Sequence, residues 1–297
     1  MTIKQKIRLF VTEQRWTLGF IENPVEDIVT GKEVNVRYIK GQPKDRWYAD
    51  PFILCIDNDT IVLLVEEFLY KTRLGRIAKL IIRKKDLQLI SDEVVLELNS
   101  HLSFPAIKRE GGKVYIYPEN AGGLGLALYE YDMKQNSCTY IKTISSEPLA
   151  DAIITNVFGE DLMFTTQIPK HNGNELLVYR FNNEDQPLLF STCHFESDIA
   201  RNAGDWFKVG NTVYRPAQDC NGGYGKAVIL QKIQHERENF VFNNIRRIES
   251  NNTDFSTGCH TFNVYNGLTV IDVHGYVHSK AASLYTFFRR VFSFIIK

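Results

Sequence analysis

Short runs of alternating apolar and polar residues follow one another along almost the whole chain. Examples are TIVLLVEEF at 60–68, KVYIYPEN at 113–120, ELLVYRF at 175–181, NTVYRP at 211–216 and LTVIDV at 268–273. They are rich in Val, Ile, Tyr and Phe and are bounded by Gly, Asn and Asp, the pattern of half-buried strands between tight turns. Helical periodicity is absent until the C-terminus. No Gly/Ser-rich linker divides the runs, and prolines number only nine, so one β domain is predicted.

The runs repeat in a loose order. WYADPFILCIDNDTIVLLVEEF, HLSFPAIKREGGKVYIYPEN, LADAIITNVFGEDLMFTT, ARNAGDWFKVGNTVYRPAQD and CHTFNVYNGLTVIDVHG each open on polar or Pro-marked residues. An apolar strand, a turn and a second strand with a polar end then follow. Further strand-like runs such as RIAKLIIRKK, LALYEYDM and KAVILQKI come after most of them. The spacing is roughly fifty residues, that of a four-stranded propeller blade. Five such units predict an all-β, five-bladed β-propeller over residues 1–278, with a pair of β-sandwiches as the alternative. The last unit lacks outer strands, and WTLGFI and VNVRYI near the N-terminus are predicted to complete it. Closing the ring from both ends removes exposed sheet edges.

The tail from 279 to 297 has a different pattern. Leu284, Phe287, Phe288, Val291, Phe292 and Ile295 recur at helical spacing, Arg289, Arg290 and Lys297 mark the other side, and no acidic residue follows Asp272. A basic amphipathic helix with aromatic residues suits a membrane surface. It equally suits a helix docked on the protein's own body.

Composition narrows the classes. Lys plus Arg and Asp plus Glu each number 35, so the chain carries no net charge. A protein devoted to nucleic acid needs a cationic face, so nucleic acid is not an expected partner. The N-terminal MTIKQKIRLFVTEQRW lacks the apolar run of a signal peptide, and no stretch approaches roughly 20 apolar residues. The five cysteines are scattered, without CxxC pairs or zinc spacing. Free thiols, a cytoplasmic location and peripheral attachment to the inner membrane are the expectation.

In a propeller the first strand of each blade lines the central channel. Repeat-equivalent positions there are Asp50, the 101–105 stretch with His101, Asp151, Arg201 with Gly204, and His260. The ends of second strands add Glu66 or Glu67, Glu119, Thr166, Arg215, Gln218, Asp219 and Asp272.

The motif WYADPF resembles the opening motif of five-bladed propeller glycosidases of the arabinanase and xylosidase type, and LADAIITNVFGEDLMF resembles their later Asp motif. The whole series WYADPF, HLSFP, YPEN, RNAGDWF, VYRPAQDC and YGKAV more closely resembles the glucosamine inositolphosphorylceramide transferase N-terminal family, over about residues 45–275. The resemblance implies a carbohydrate-active propeller with Asp50 as general base and Asp151 as the carboxylate that orients the sugar or tunes the acid. It also shows a departure. Arg201 stands where the glycosidases carry their Glu acid, and a guanidinium does not give up a proton at neutral pH. Glu119 or Glu67 then becomes the candidate acid.

A sugar nucleotide already has a good leaving group, so transfer needs a base and phosphate-binding cations more than an acid. On that reading Arg201, Arg215, Lys226, His101 and His260 hold a diphosphate, with Gln218 and Asp219 beside them and Trp47 as an aromatic wall. The expected function is glycosyl transfer in cell-surface polysaccharide synthesis, with a sugar nucleotide or glycan and a lipid-linked acceptor as partners. The alternatives are a glycoside hydrolase and a non-catalytic glycan-binding propeller. Each residue also has a plain structural role: Asp50 and Asp151 as backbone caps, the arginines as ion-pair staples, Glu119 as a solvated strand end. No cofactor or metal ligation is indicated.

Overall fold

The computed structural model describes residue 3, residues 13–236 and residues 239–278. The tail at 279–297 lies outside the described residues. The chain begins with Gln14–Ile21 (β1), a five-residue helix Val25–Val29 (α1) and Val36–Tyr38 (β2). Blade 1 is Arg46–Ile56 (β3), Thr60–Leu69 (β4), Gly75–Arg83 (β5) and Gln88–Leu96 (β6). Blade 2 is Ser103–Glu110 (β7), Lys113–Glu119 (β8), Leu126–Asp132 (β9) and Ser137–Ser145 (β10). Blade 3 is Leu149–Thr155 (β11), Leu162–Gln167 (β12), Glu175–Phe181 (β13) and Pro187–His194 (β14). Blade 4 is Phe207–Val209 (β15), Thr212–Asp219 (β16), Ala227–Glu236 (β17) and Asn239–Ile248 (β18). Phe262–Tyr265 (β19) and Leu268–Tyr276 (β20) begin blade 5.

Each of the five sheets has four antiparallel strands, and the fifth has the order β19-β20-β1-β2. The N-terminal strands therefore complete the last blade, as the sequence pattern predicts. Eight pairs join β1 to β20, from Gln14 with Tyr276 to Ile21 with Thr269. Within α1, Val25 and Ile28 are buried against this blade and blade 4.

Local chemistry sets the hairpins. Asn266 (φ 47°) and Gly267 (φ 78°) turn β19 into β20, the Asn-Gly pair that a tight hairpin favours. Between β3 and β4, Asp57 Oδ1 accepts the N–H groups of Asp59 and Thr60 at 2.8 and 2.6 Å. Burial follows position in the blade. Strands β3 and β4 are almost continuously buried, whereas the outer strands β6 and β18 are mostly exposed or half-buried. Inner strands are covered on both faces by neighbouring blades. Aromatic pairs fill those interfaces: Phe52 meets Phe104 edge-on at 5.0 Å, and Phe164 packs on Trp206 at 4.2 Å.

One irregularity recurs at the start of the first three blades. The pairing slips between Ala49 and Phe52, between Ser103 and Ala106, and between Ala150 and Ile153. At each slip one residue takes a left-handed backbone: Asp50 (φ 50°), Phe104 (φ 46°) and Asp151 (φ 46°). These bulges re-aim side chains near the mouth of the channel.

Candidate active site at the channel mouth

A left-handed backbone costs an L-residue roughly 1–2 kcal/mol, so something must hold the bulges in place. Carboxylates of neighbouring strands do so. The Asp50 N–H donates to Asp272 Oδ2 at 2.9 Å, the Phe104 N–H to Asp50 Oδ2 at 3.0 Å, and the Asp151 N–H to Glu119 Oε2 at 3.0 Å. Blade 5 thus anchors blade 1, blade 1 anchors blade 2, and blade 2 anchors blade 3.

The first cluster is Asp50, His260 and Asp272, all buried. His260 Nδ1 lies 2.8 Å from Asp272 Oδ1, and its Nε2 lies 3.6 Å from Asp50 Oδ1. Thr261 Oγ1 donates to Asp50 Oδ1 at 2.9 Å. Trp16 stacks on the imidazole at 3.9 Å, fixing its plane. Burial alone would lower the His260 pKa, but the Asp272 and Asp50 charges outweigh it and push it up to about 9. Burial pushes Asp50 up to about 7, against the opposing charge of His260.

Ligating atoms of these three residues lie within 4.8 Å of one another, close enough for a cation. Asp272 is already engaged, however. Its Oδ1 accepts the backbone N–H groups of His260 and Thr261 and faces His260 Nδ1, and its Oδ2 accepts the Asp50 N–H. The arrangement fits a proton-sharing triad and not a metal cage.

The second cluster is Glu119, Asp151 and Arg201. Arg201 Nε lies 2.5 Å from Asp151 Oδ2, its Nη1 donates to Asn172 Oδ1 at 2.9 Å, and its Nη2 reaches Glu119 Oε2 at 3.4 Å. Tyr224 presents its ring 5.0 Å from the guanidinium carbon. Gln218 Nε2 donates to the same Asp151 oxygen at 2.7 Å. Burial opposes the Arg201 charge, yet Asp151 and Glu119 hold its pKa above the ordinary arginine value. Burial and the Asp151 charge push Glu119 up to about 8, and Arg201 only partly offsets them.

Between the clusters lies a pocket of ≈ 260 Å³. Asp50, Glu66, His101 and Ser103 line one side; Glu119, Arg201 and Tyr224 line the other, with His171 and Asn172. His101 Nε2 lies 3.2 Å from Glu66 Oε1, and the Gly75 N–H donates to His101 Nδ1 at 3.0 Å. The acceptor role of Nδ1 places the neutral ring's proton on Nε2, facing Glu66. Burial lowers the His101 pKa, but Glu66 reverses the shift and raises it.

The structure brings Asp50, His101, Glu119 and Arg201 to one pocket, with Asp151, Gln218 and His260 directly behind it. Other predicted residues lie elsewhere. Glu67 is fully buried between Arg46 and Arg76, at 2.7 and 2.5 Å. Side chains alternate along a strand, so Glu66 points to the pocket and Glu67 to the far face of the blade. Arg215 is buried within blade 4, bonded to Asn202 Oδ1 at 2.9 Å and Gln231 Oε1 at 2.6 Å and to the Ala200 carbonyl. Burial, with no carboxylate paired to it among the described residues, lowers its pKa to about 9. Asp219 caps Asn221 and pairs with Arg247 at 2.9 Å. Trp47 stacks on Phe68 at 4.6 Å, and Lys226 is exposed outside the pocket lining. Ser103 belongs to the 101–105 stretch that the sequence pattern marks, whereas His171 and Asn172 are not singled out by it. His171 and Asn172 sit in the β12–β13 turn, where no strand periodicity marks them.

The fold and site define a five-bladed propeller with an acidic pocket at one end of its channel. The chain matches, over residues 21–274, the family described as "Glucosamine inositolphosphorylceramide transferase 1, N-terminal", and it belongs to that family. It is 29% identical over 226 residues to glucosamine inositolphosphorylceramide transferase 1 of Oryza sativa subsp. indica, covering 72% of this chain and 29% of that protein. The Arabidopsis thaliana protein of the same name is 30% identical over 202 residues, covering 63% of this chain and 25% of that one. The chain therefore spans under a third of these relatives' length. Among solved structures, RS223-Beta-xylosidase superposes with a TM-score of 0.51 at 11% identity, covering 79% of this chain and 93% of that one. The GH43_1 enzyme from Xanthomonas citri complexed with xylotriose gives 0.50 at 10% identity, covering 79% and 88%. At such identities the likeness is one of fold, and it matches the resemblance to xylosidase-type propellers seen in the motifs.

Proposed function

We propose that this chain is a carbohydrate-active enzyme that performs acid–base chemistry at a glycosidic bond, with Glu119 as proton donor and Asp50 as base. One observation carries the reading: two carboxyls open onto the same pocket, and burial moves both toward neutral pH, Glu119 to about 8 and Asp50 to about 7. Near neutrality the first retains its proton while a fraction of the second has lost its own, as a donor and a base require. Asp151 and Arg201 act through Glu119, fixing its Oε2 and leaving Oε1 outside their bonds.

The relatives' name adds glycosyl transfer to a lipid-linked hydroxyl as the finer reaction. The basic amphipathic segment at 280–297 is in keeping with an acceptor held in a membrane surface. A sugar diphosphate suits the pocket less well than a glycoside. Three of the Arg201 N–H donors are engaged by Asp151, Asn172 and Glu119, Arg215 lies inside a blade, and carboxyl groups of Asp50, Glu66 and Glu119 line the entry. A second reading, glycan binding without turnover, is favoured by Arg201 at the position of the glycosidase acid.

Glycosyl release from, and transfer between, defined oligosaccharides decides between these readings. Loss of turnover in Asp50→Asn and Glu119→Gln, with melting temperature retained, supports the acid–base assignment. Unchanged rates in both variants refute it, and binding without turnover by the wild type selects the second reading.

A further inference from the structure

We infer that the acidic pocket is the middle station of a track for a linear glycan of at least three sugar units. The inference builds on the reading of the pocket as a sugar site and adds the class of substrate that fits it.

Two further depressions flank the pocket. One, of ≈ 420 Å³, lies between the β4–β5 turn and the segment leaving β6. Leu69, Leu74 and Leu98 give it an apolar wall, and Arg76, Glu97 and Asn99 a polar one. The other, of ≈ 340 Å³, lies over the β12–β13 turn, with Pro169, Lys170, Gly173 and Asn174 among its lining. Both turns join the second strand of a blade to its third. They therefore lie at the same end of the propeller as Glu119, which closes the second strand of blade 2.

Each depression shares a wall with the pocket. Gly75 lines the first, and its N–H bonds to His101, which lines the pocket. A Cβ at position 75 would lie 2.7 Å from Glu66 Oε1 and 2.8 Å from His101 Cε1, so this partition admits only glycine. Asn172 lines both the pocket and the second depression, while its Oδ1 holds Arg201. Blades 1 and 3 are not neighbours in the ring, so the three depressions run across the channel mouth.

Volume and chemistry agree with this occupant. The pocket alone falls below the roughly 300–1,000 Å³ of sites for drug-sized ligands, the scale of a single sugar ring. In the first depression leucine faces beside amide, carboxylate and guanidinium groups suit the apolar face and hydroxyl rim of a sugar, and in the second Lys170, Asn172, Asn174 and Glu175 offer polar partners to hydroxyls.

Calorimetric titration of the full chain with xylo-, cello- and chito-oligosaccharide ladders of one to six units tests the track. For the ladder that binds, affinity should climb on the order of tenfold per unit up to three units and then level. Leu74→Trp and Lys170→Trp each fill one depression from the surface. Each should weaken trisaccharide binding about tenfold while leaving the melting temperature unchanged. Equal affinity for one unit and six, or unaltered trisaccharide affinity in both variants, overturns the track and leaves a single-sugar pocket standing. Absence of binding by every ladder overturns both the track and the sugar-site reading.

Discussion

Arg201 and Asp151, fifty positions apart and in adjacent blades, meet at 2.5 Å with both side chains buried at the channel mouth. The pair explains how an arginine is buried in a pocket that Asp50, Glu66 and Glu119 also line. Its charge is used internally, paired with Asp151 and reaching Glu119 Oε2.

Removing one partner should therefore be costly. Arg201→Met leaves Asp151 buried without its cation, and the expected loss is about 3–5 kcal/mol in urea unfolding. Arg201→Met combined with Asp151→Asn should recover a large part of that loss. A double variant as unstable as the sum of the singles would contradict a coupled pair.

Activity should have a bell-shaped pH profile. Asp50 must lose its proton, near pH 7, and Glu119 must keep its own, up to near pH 8. The optimum of kcat/KM should fall in or near that narrow interval, with apparent limbs that belong to the interacting groups together. Glu119→Gln should abolish the alkaline limb along with most of the rate. An optimum near pH 4 would exclude these two roles.

Stability should fall on the alkaline side. The folded pKa of His260, about 9, exceeds its ordinary value of 6.5 because Asp272 and Asp50 outweigh burial. Its contribution is complete below about pH 6.5 and disappears as pH rises through about 9. His274 acts in the opposite sense: burial lowers its pKa to about 4, so its contribution is lost as pH falls from 6.5 toward 4. Calorimetry should give a melting temperature a few degrees lower at pH 9.5 than at pH 6.5. Equal or higher values at pH 9.5 would contradict the triad.

Arg215 should behave as a structural residue. Arg215→Met strips donors from Asn202, Gln231 and the Ala200 carbonyl, and a loss of about 2–4 kcal/mol is expected. Glycan affinity per folded molecule should remain unchanged, measured well below the variant's melting temperature. A selective loss of affinity would return Arg215 to the binding site.

Gly75→Ala tests the partition between the pocket and its larger neighbour. The added Cβ would meet the Leu102 carbonyl oxygen at 2.5 Å and the Glu66 carboxylate at 2.7 Å. Displacement of Glu66 and His101 should cost about 1–3 kcal/mol and weaken glycan binding with it. Wild-type behaviour in both assays would show that the partition yields easily.

The sequence by itself determined the architecture. Strand periodicity, turn residues at regular intervals and two unpaired runs near the N-terminus implied five blades and a ring closed from both ends. The β1–β20 pairing realises that closure. The sequence also marked Asp50, His101, Glu119 and Arg201, because repeat-equivalent positions converge wherever blades surround one axis. Tertiary structure decided which neighbour faces that axis and which charges meet there. Glu66 and Glu67 are adjacent and chemically alike, and only the register of β4 against β3 sends one to the pocket and the other to Arg46 and Arg76. Arg215 reads like Arg201 in sequence, yet it bonds within its own blade while Arg201 reaches across to Asp151. Whether a buried carboxyl keeps its proton depends on distances between residues of different blades, and those distances exist only once the ring is closed.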